Sequence, residues 1–242
     1  MKALRTMILF DQGNLSQTVD WANLYESYIR SISHIDHPID SGKLTIRRMI
    51  KKTKSQSAQR NGVQFLRRRF LDYMVKVEKW IPEGKIHYDH DTNRSAIQLY
   101  PPESINYFEP ITSGFGEFDF LTQTTNGMAA AIEWETGNIS SSHRSLNKLT
   151  TLLSAGIIKI GVLILPSRDL YTHLTDRIGN IGELSPYLNF WQSFGNTIQS
   201  GMLAITVVEH DELSDDPNLP FLAVGNDGRA AEGKKKTQSH EI

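Results

Sequence analysis

Asp119 stands between two phenylalanines, and Glu133 and Glu135 flank Trp134, in the stretch GEFDFLTQTTNGMAAAIEWETGN at residues 116–138. An unpaired charge is costly to bury, so carboxylates inside apolar strands need something to hold. EFDFLTQ and MAAAIEWET read as antiparallel strands around Asn126-Gly127, the strongest short hairpin signal. Side chains alternate along a strand, which puts Glu133 and Glu135 on one side and Trp134 on the other. The short turn brings Asp119 alongside them. Three converging carboxylates suit a hard divalent cation such as Mg2+. Such a cation lowers the pKa of bound water and neutralises charge on a phosphate in flight, the chemistry of phosphodiester hydrolysis. The competing reading is a wet edge hairpin whose glutamates pair with nearby lysine or arginine. The apolar letters around the carboxylates, and the uniformly apolar IIKIGVLILP at 157–166, favour a buried central sheet.

The elements that must position these residues are read from periodicity. Trp21, Leu24, Tyr28, Ile29 and Ile32 mark a helix over 17–33, followed by a turn at Asp36–Gly42 and a basic stretch over 43–60. A second helix opens near residue 60 and runs to Trp80, with Val63, Leu66, Phe70, Tyr73, Met74 and Val77 inward. Its outer side carries Arg67, Arg68, Arg69, Lys76 and Lys79. KIHYDHDTNRSAIQLY at 85–100 reads as a hairpin, whose His87 and His90 lack the companions of a zinc site, and PPESINYFEP as loop or short helix. After the carboxylates come a helix over 140–156 with a serine cap and Gly156 at its end, and the apolar strand 157–166. A helical zone from Asp169 to Ser200, broken at Gly179–Gly182, precedes a last strand, MLAITVVEH at 202–210.

This order predicts an α/β fold, a central mixed β-sheet flanked by helices. It gives one domain over 1–210, with a helical N-terminal part (15–80) and a catalytic core (about 115–210), then a partly disordered tail over 211–242. The 242 residues are 39% hydrophobic and 22% charged, ordinary for a globular protein with a substantial core. Lys plus Arg total 26 against 27 Asp plus Glu, but a near-neutral sum leaves nucleic acid open, because local clustering decides. No cysteine is present, which excludes disulfides and thiolate metal sites. No apolar run reaches the roughly 20 residues of a membrane span. MKALRTMILFDQGN is too short, and too soon interrupted by Asp11, for a signal peptide, so a cytoplasmic protein is expected.

Asp119 followed by Glu133-Trp134-Glu135 resembles the PD-(D/E)xK nuclease motif, with Glu135 where that motif usually has lysine. Glu or Gln at that position is similar to the BglII/BstYI (BamHI-like) group of Type II restriction endonucleases. ETGNISSSHRSLNKL resembles the same branch, as do RNGV at 60–63 and GNDGRA at 225–230. The resemblance implies a restriction-endonuclease-like core and a Mg2+-dependent enzyme. It also implies a homodimer that cuts double-stranded DNA at a short palindrome, with a methyltransferase as functional partner. A GATC-centred hexamer cut to 5′ overhangs is implied too. Asp119, Glu133 and the Trp134 carbonyl would hold the metal. Glu135 would act on the attacking water, as base or as ligand. Glu103, Asn106 and Glu109 are candidates for a further ligand.

For DNA contact the candidates are Asn138, which reads equally as a helix cap, and Ser140, Ser141, His143, Arg144 and Lys148 along the next helix. Asn180 lies in a break that serves either as recognition loop or as connection. The basic stretch and the RRR run offer phosphate neutralisation. The rivals are another PD-(D/E)xK nuclease, methyl-dependent or for repair, and a non-catalytic DNA-binding protein whose carboxylates are structural.

Overall fold

Period-two alternation builds the centre of the molecule. In the computed structural model, which describes residues 1–51, 53, 58–87, 114–124, 126–175 and 178–223, β6 (Ile160–Pro166) is buried at every position. Ile160, Val162 and Ile164 enter one core and Leu163 and Leu165 the other, because the sheet is covered on both faces. β7 (Gly201–Glu209) divides the same way: Met202, Ala204 and Val208 against Leu203, Ile205 and Val207. The remaining strands of this sheet are β1 (Lys2–Gln12), β3 (Pro82–His87), β4 (Gly114–Gln123) and β5 (Ala129–Trp134), in the order β1-β7-β6-β5-β4-β3. β5, β6 and β7 are parallel, whereas β1, β4 and β3 join antiparallel, so the sheet is mixed.

Helices lie on both faces. α1 (Val19–Ser33), α2 (Gln64–Lys76) and α4 (Arg168–His173) pack Trp21, Tyr28, Leu66, Phe70 and Leu170 into one core. α3 (Ile139–Ser154), α5 (Ile181–Leu184) and α6 (Leu188–Ser193) pack Leu146, Leu149, Leu184 and Trp191 into the other. Among the described residues no helix is long and apolar enough to cross a membrane.

Four elements differ from the sequence reading. Residues 2–12, judged only as too short for a leader, form the edge strand β1, whose mixed burial hides its period. The second helix stops at Lys76 rather than Trp80. Residues 85–87 belong to β3, paired with β4, and the rest of the expected 85–100 hairpin lies outside the described residues. The start of the supposed tail is structural: β8 (Glu212–Ser214) pairs in parallel with β2 (Thr45–Arg47), and Leu222 is buried. Residues 224–242, with the GNDGRA stretch and the expected disorder, lie outside the described residues.

Asn61 of the RNGV stretch shows why that stretch is needed. Its buried amide nitrogen donates to Arg47 O (2.7 Å) and His173 O (3.1 Å), and its Oδ1 accepts from Leu222 N–H (3.2 Å). Three distant segments are tied at one side chain. Asn61→Ala would take the side-chain partner from Arg47 O and Leu222 N–H, while His173 O keeps the Asn61 backbone N–H (2.8 Å), and each buried orphan costs about 1–3 kcal/mol. Urea unfolding of the variant should therefore show a loss of about 2–4 kcal/mol; a loss within about 0.5 kcal/mol, typical of a surface change, would remove the staple from the account.

Candidate active site

The carboxylates gather where two strands part. The β4–β5 ladder runs from Gln123 opposite Ala129 to Phe120 opposite Ile132 and then opens. In the fork, Trp134 N–H donates to Asp119 Oδ2 (2.7 Å) and Asp119 N–H to Glu133 Oε2 (3.4 Å), so side chains replace the missing carbonyl partners. β5 stays attached on its other side, where Glu135 N–H donates to Ile164 O at 2.8 Å. Asp119, Glu133 and Glu135 are all buried, at 8%, 8% and 6% exposure, which the wet-hairpin reading does not allow. Trp134 faces the opposite core, its ring centroid 4.7 Å from that of Phe70.

Two cations balance this cluster. Arg67 of α2 places its guanidinium on Asp119 Oδ1, with Nε at 3.2 Å. Lys148 of α3 donates from Nζ to Glu133 Oε1 (2.6 Å) and Glu117 O (3.0 Å), and lies 4.1 Å from the Phe118 ring centroid. This corrects the sequence reading of Lys148 as a DNA contact: only 8% exposed, it is an internal partner of Glu133. Its position four residues before Leu152, on the apolar side of the helix, was the available signal. The RRR run is likewise not a free cationic face. Arg67 serves Asp119 and Arg69 pairs with Asp36 (2.5 Å), leaving Arg68 exposed.

Burial raises the Glu133 carboxyl above its ordinary range, and the Lys148 ammonium opposes that rise. Burial pushes Glu135 up from 4.5 to about 7, partly offset by the neighbouring Ser142 hydroxyl and the Gly137 N–H. Only Gly137 N–H makes a well-formed bond, 2.6 Å to Oε1. Glu135 Oε2 and Ser142 Oγ are buried with no hydrogen-bond partner.

Gly137 is required at this turn. A Cβ there would stand 2.4 Å from Ser141 Oγ and 3.2 Å from Glu135 Oε1, so a side chain would drive α3 away from the carboxylates. Asn138 caps α3, its side chain accepting from Ser141 N–H (3.2 Å), the cap reading of this residue rather than the serine cap. Asn138, Ser140 and Arg144 are exposed and Ser141 is half-buried, whereas His143 packs edge-on against Tyr187 (4.8 Å between centroids). Asn180 is 2% exposed and caps α5 through Gly182 and Glu183 N–H, so it is a structural cap in a connection and not a free recognition residue.

The donor set fits a divalent cation. Asp119 N–H links Asp119 to Glu133 Oε2, Glu135 follows two residues after Glu133, and Glu135 Oε2 is left without a hydrogen-bond partner, a set of buried oxygen donors that suits a hard ion. Glu103, Asn106 and Glu109 lie outside the described residues. The β3–β4 register, Pro82 opposite Phe120 and Gly84 opposite Phe118, leaves Glu83 as the backbone position facing Asp119. The sequence reading did not name it, because that register joins segments 36 residues apart.

A mixed sheet with helices on both faces and an acidic fork at its centre has the restriction-endonuclease-like architecture. A restriction endonuclease BglII structure, complexed with a DNA 16-mer, superposes with a TM-score of 0.55 over 87% of this chain and 79% of that one, at 10% identity. The family model described as restriction endonuclease BamHI matches residues 1–229, and the chain belongs to that family. Type II restriction enzyme OkrAI of Oceanobacter kriegii is 50% identical over 104 residues, 43% of this chain and 52% of that protein. Type II restriction enzyme BamHI of Bacillus amyloliquefaciens is 36% identical over 105 residues, 43% and 45% of the two chains. The matched stretch thus spans about half the length of these curated relatives.

Two outcomes follow from the charge balance. Lys148→Met strands a buried carboxylate and should cost about 3–5 kcal/mol in urea unfolding, most of it recovered in the Lys148→Met/Glu133→Gln double variant. No recovery would mean that the pair is not the source of the loss. For Glu135, the folded pKa lies above the unfolded one. Its contribution is therefore complete below about pH 4.5 and lost as pH rises through about 7. In chelator, the parent should lose up to about 3 kcal/mol relative to Glu135→Gln between pH 5 and pH 8; parallel stability curves would contradict the assignment.

Proposed function

We propose that this chain is a Type II restriction endonuclease that hydrolyses phosphodiester bonds in double-stranded DNA at a short palindrome, with Mg2+ as cofactor. The observation that carries the reading is the buried fork of Asp119, Glu133 and Glu135, with an unpartnered Glu135 oxygen, in a chain of the BamHI family. Asp119, Glu133 and the Trp134 carbonyl hold the metal. Bound there, Mg2+ supplies a water of lowered pKa and neutralises charge on the phosphate. Glu135 accepts the proton of the attacking water at Oε2, a role its raised pKa suits near neutral pH. Lys148 holds Glu133 in place. Arg67, 34% exposed at the side chain, is the candidate to orient the phosphate. Asn138, Ser140, Ser141 and Arg144, at the accessible start of α3, are the candidate DNA contacts.

A homodimer with one active centre per strand matches a two-fold symmetric site, of which a GATC-centred hexamer cut to 5′ overhangs is the working form. A cognate methyltransferase would protect the host, and the enzyme would act in the cytoplasm. Digestion of a sequenced phage DNA with Mg2+ should give discrete fragments with fixed ends. Glu133→Ala should abolish cleavage and retain DNA binding in chelator. Fragments without fixed ends would indicate another kind of nuclease. No metal-dependent cleavage of varied DNA by the parent would leave a non-catalytic DNA-binding protein.

A further inference from the structure

A second group of side chains able to ligate a metal lies at the C-terminal end of β7, two strands over from the fork on the same edge of the sheet. Asp169 is in the first turn of α4, Glu209 ends β7 and His210 follows it. The backbone brings them together: Ser167 N–H donates to Val208 O at 2.9 Å, fixing the start of α4 beside the end of β7. One donor atom from each residue lies within 4.8 Å of the other two. β6 separates this strand end from β5 and its carboxylates.

His210 is the observation that points to a ligand. It is 5% exposed, and its Nδ1 is buried without a hydrogen-bond partner. Its Nε2 is aimed at Asp169 Oδ2 but stands 3.9 Å away, too far for a hydrogen bond. The adjacent His173 ring, 5.8 Å away and edge-on, is otherwise engaged, its Nδ1 accepting from Met49 N–H at 3.3 Å. Burial lowers the pKa of His210, which keeps its imidazole neutral and a lone pair available at neutral pH. A buried, neutral, unpartnered imidazole facing two carboxylates is an unfavourable arrangement for the protein alone.

We propose that Asp169, Glu209 and His210 form a site for a divalent transition-metal ion of the Zn2+ class, clamping the end of β7 to α4. Ligands at about 2.0–2.2 Å from an ion stand roughly 3–4 Å from one another, so the side chains need move by less than about 1 Å. One imidazole nitrogen with two carboxylates selects Zn2+, Co2+, Ni2+ or Mn2+ over Mg2+, which keeps to oxygen. The competing occupant is Lys2, opposite Glu209 in the β1–β7 register, which would make the carboxylates ordinary surface partners.

Calorimetric titration of the full chain with Zn2+ tests this, comparing the parent with Asp169→Asn and His210→Ala. The catalytic carboxylates are common to all three proteins, so differences report this site. The parent should bind one Zn2+ more than either variant, or bind it at least tenfold more tightly, and Zn2+ should raise the Tm of the parent above that of Asp169→Asn. Asp169 is exposed, so its variant decides the matter even where His210→Ala fails to fold. Equal stoichiometry and affinity in parent and Asp169→Asn would overturn the site.

Discussion

The contact between Lys148 Nζ and Glu133 Oε1, 2.6 Å apart and nearly out of water, is the interaction on which the carboxylate fork depends. A carboxylate fork inside a covered sheet is possible only if its charge is balanced there, because a buried uncompensated ion costs several kcal/mol. Lys148 and Arg67 supply that balance from opposite faces, one from α3 and one from α2. Each helix therefore has to run close to the strands at one particular turn. Gly137 permits this for α3, because a Cβ there would stand 2.7 Å from Ser141 Cβ. The ETGN letters after the motif strand are thus the condition for bringing a lysine to Glu133.

The rest of the fold holds that geometry still. β5 is fixed to β6 by parallel hydrogen bonds up to Glu135, while β4 leaves β5 at Asp119. The sheet itself is closed at one edge by β1, from the N-terminus, and the α2 side is anchored through Asn61 to α4 and the segment around Leu222. The carboxylate fork near the middle of the chain therefore rests on contacts from both ends of it.

Much of this was legible in the sequence, for identifiable reasons. β6 and β7 announce themselves as continuous apolar runs because both faces of the sheet are covered, and α3 does so because burial of one face imposes period 3.6 on the letters. Asp119, Glu133 and Glu135 stood out because charges in apolar strands are rare. What was illegible depends on long-range partners. β1 carries polar letters because an edge strand is half wet, and β8 looks like an acidic tail because it pairs with residues about 170 positions earlier. Lys148 and Arg67 look like surface cations until the carboxylates they face are in place. Asn138 could be read as a cap or a contact and Asn180 as part of a recognition loop or a connection, and both adopt capping geometry.

The account stands on the claim that the fork of Asp119, Glu133 and Glu135 binds a divalent metal. Crystals of the protein with uncleaved DNA, soaked in Mn2+ and measured at the manganese absorption edge, test it most directly. The account predicts an anomalous peak about 2.2 Å from carboxylate oxygens of Asp119 and Glu133 and the Trp134 carbonyl, the distance of a hard divalent ion from its oxygens. A map with full DNA occupancy, no peak at the fork, and Arg67 and Lys148 still paired to Asp119 and Glu133 would contradict it.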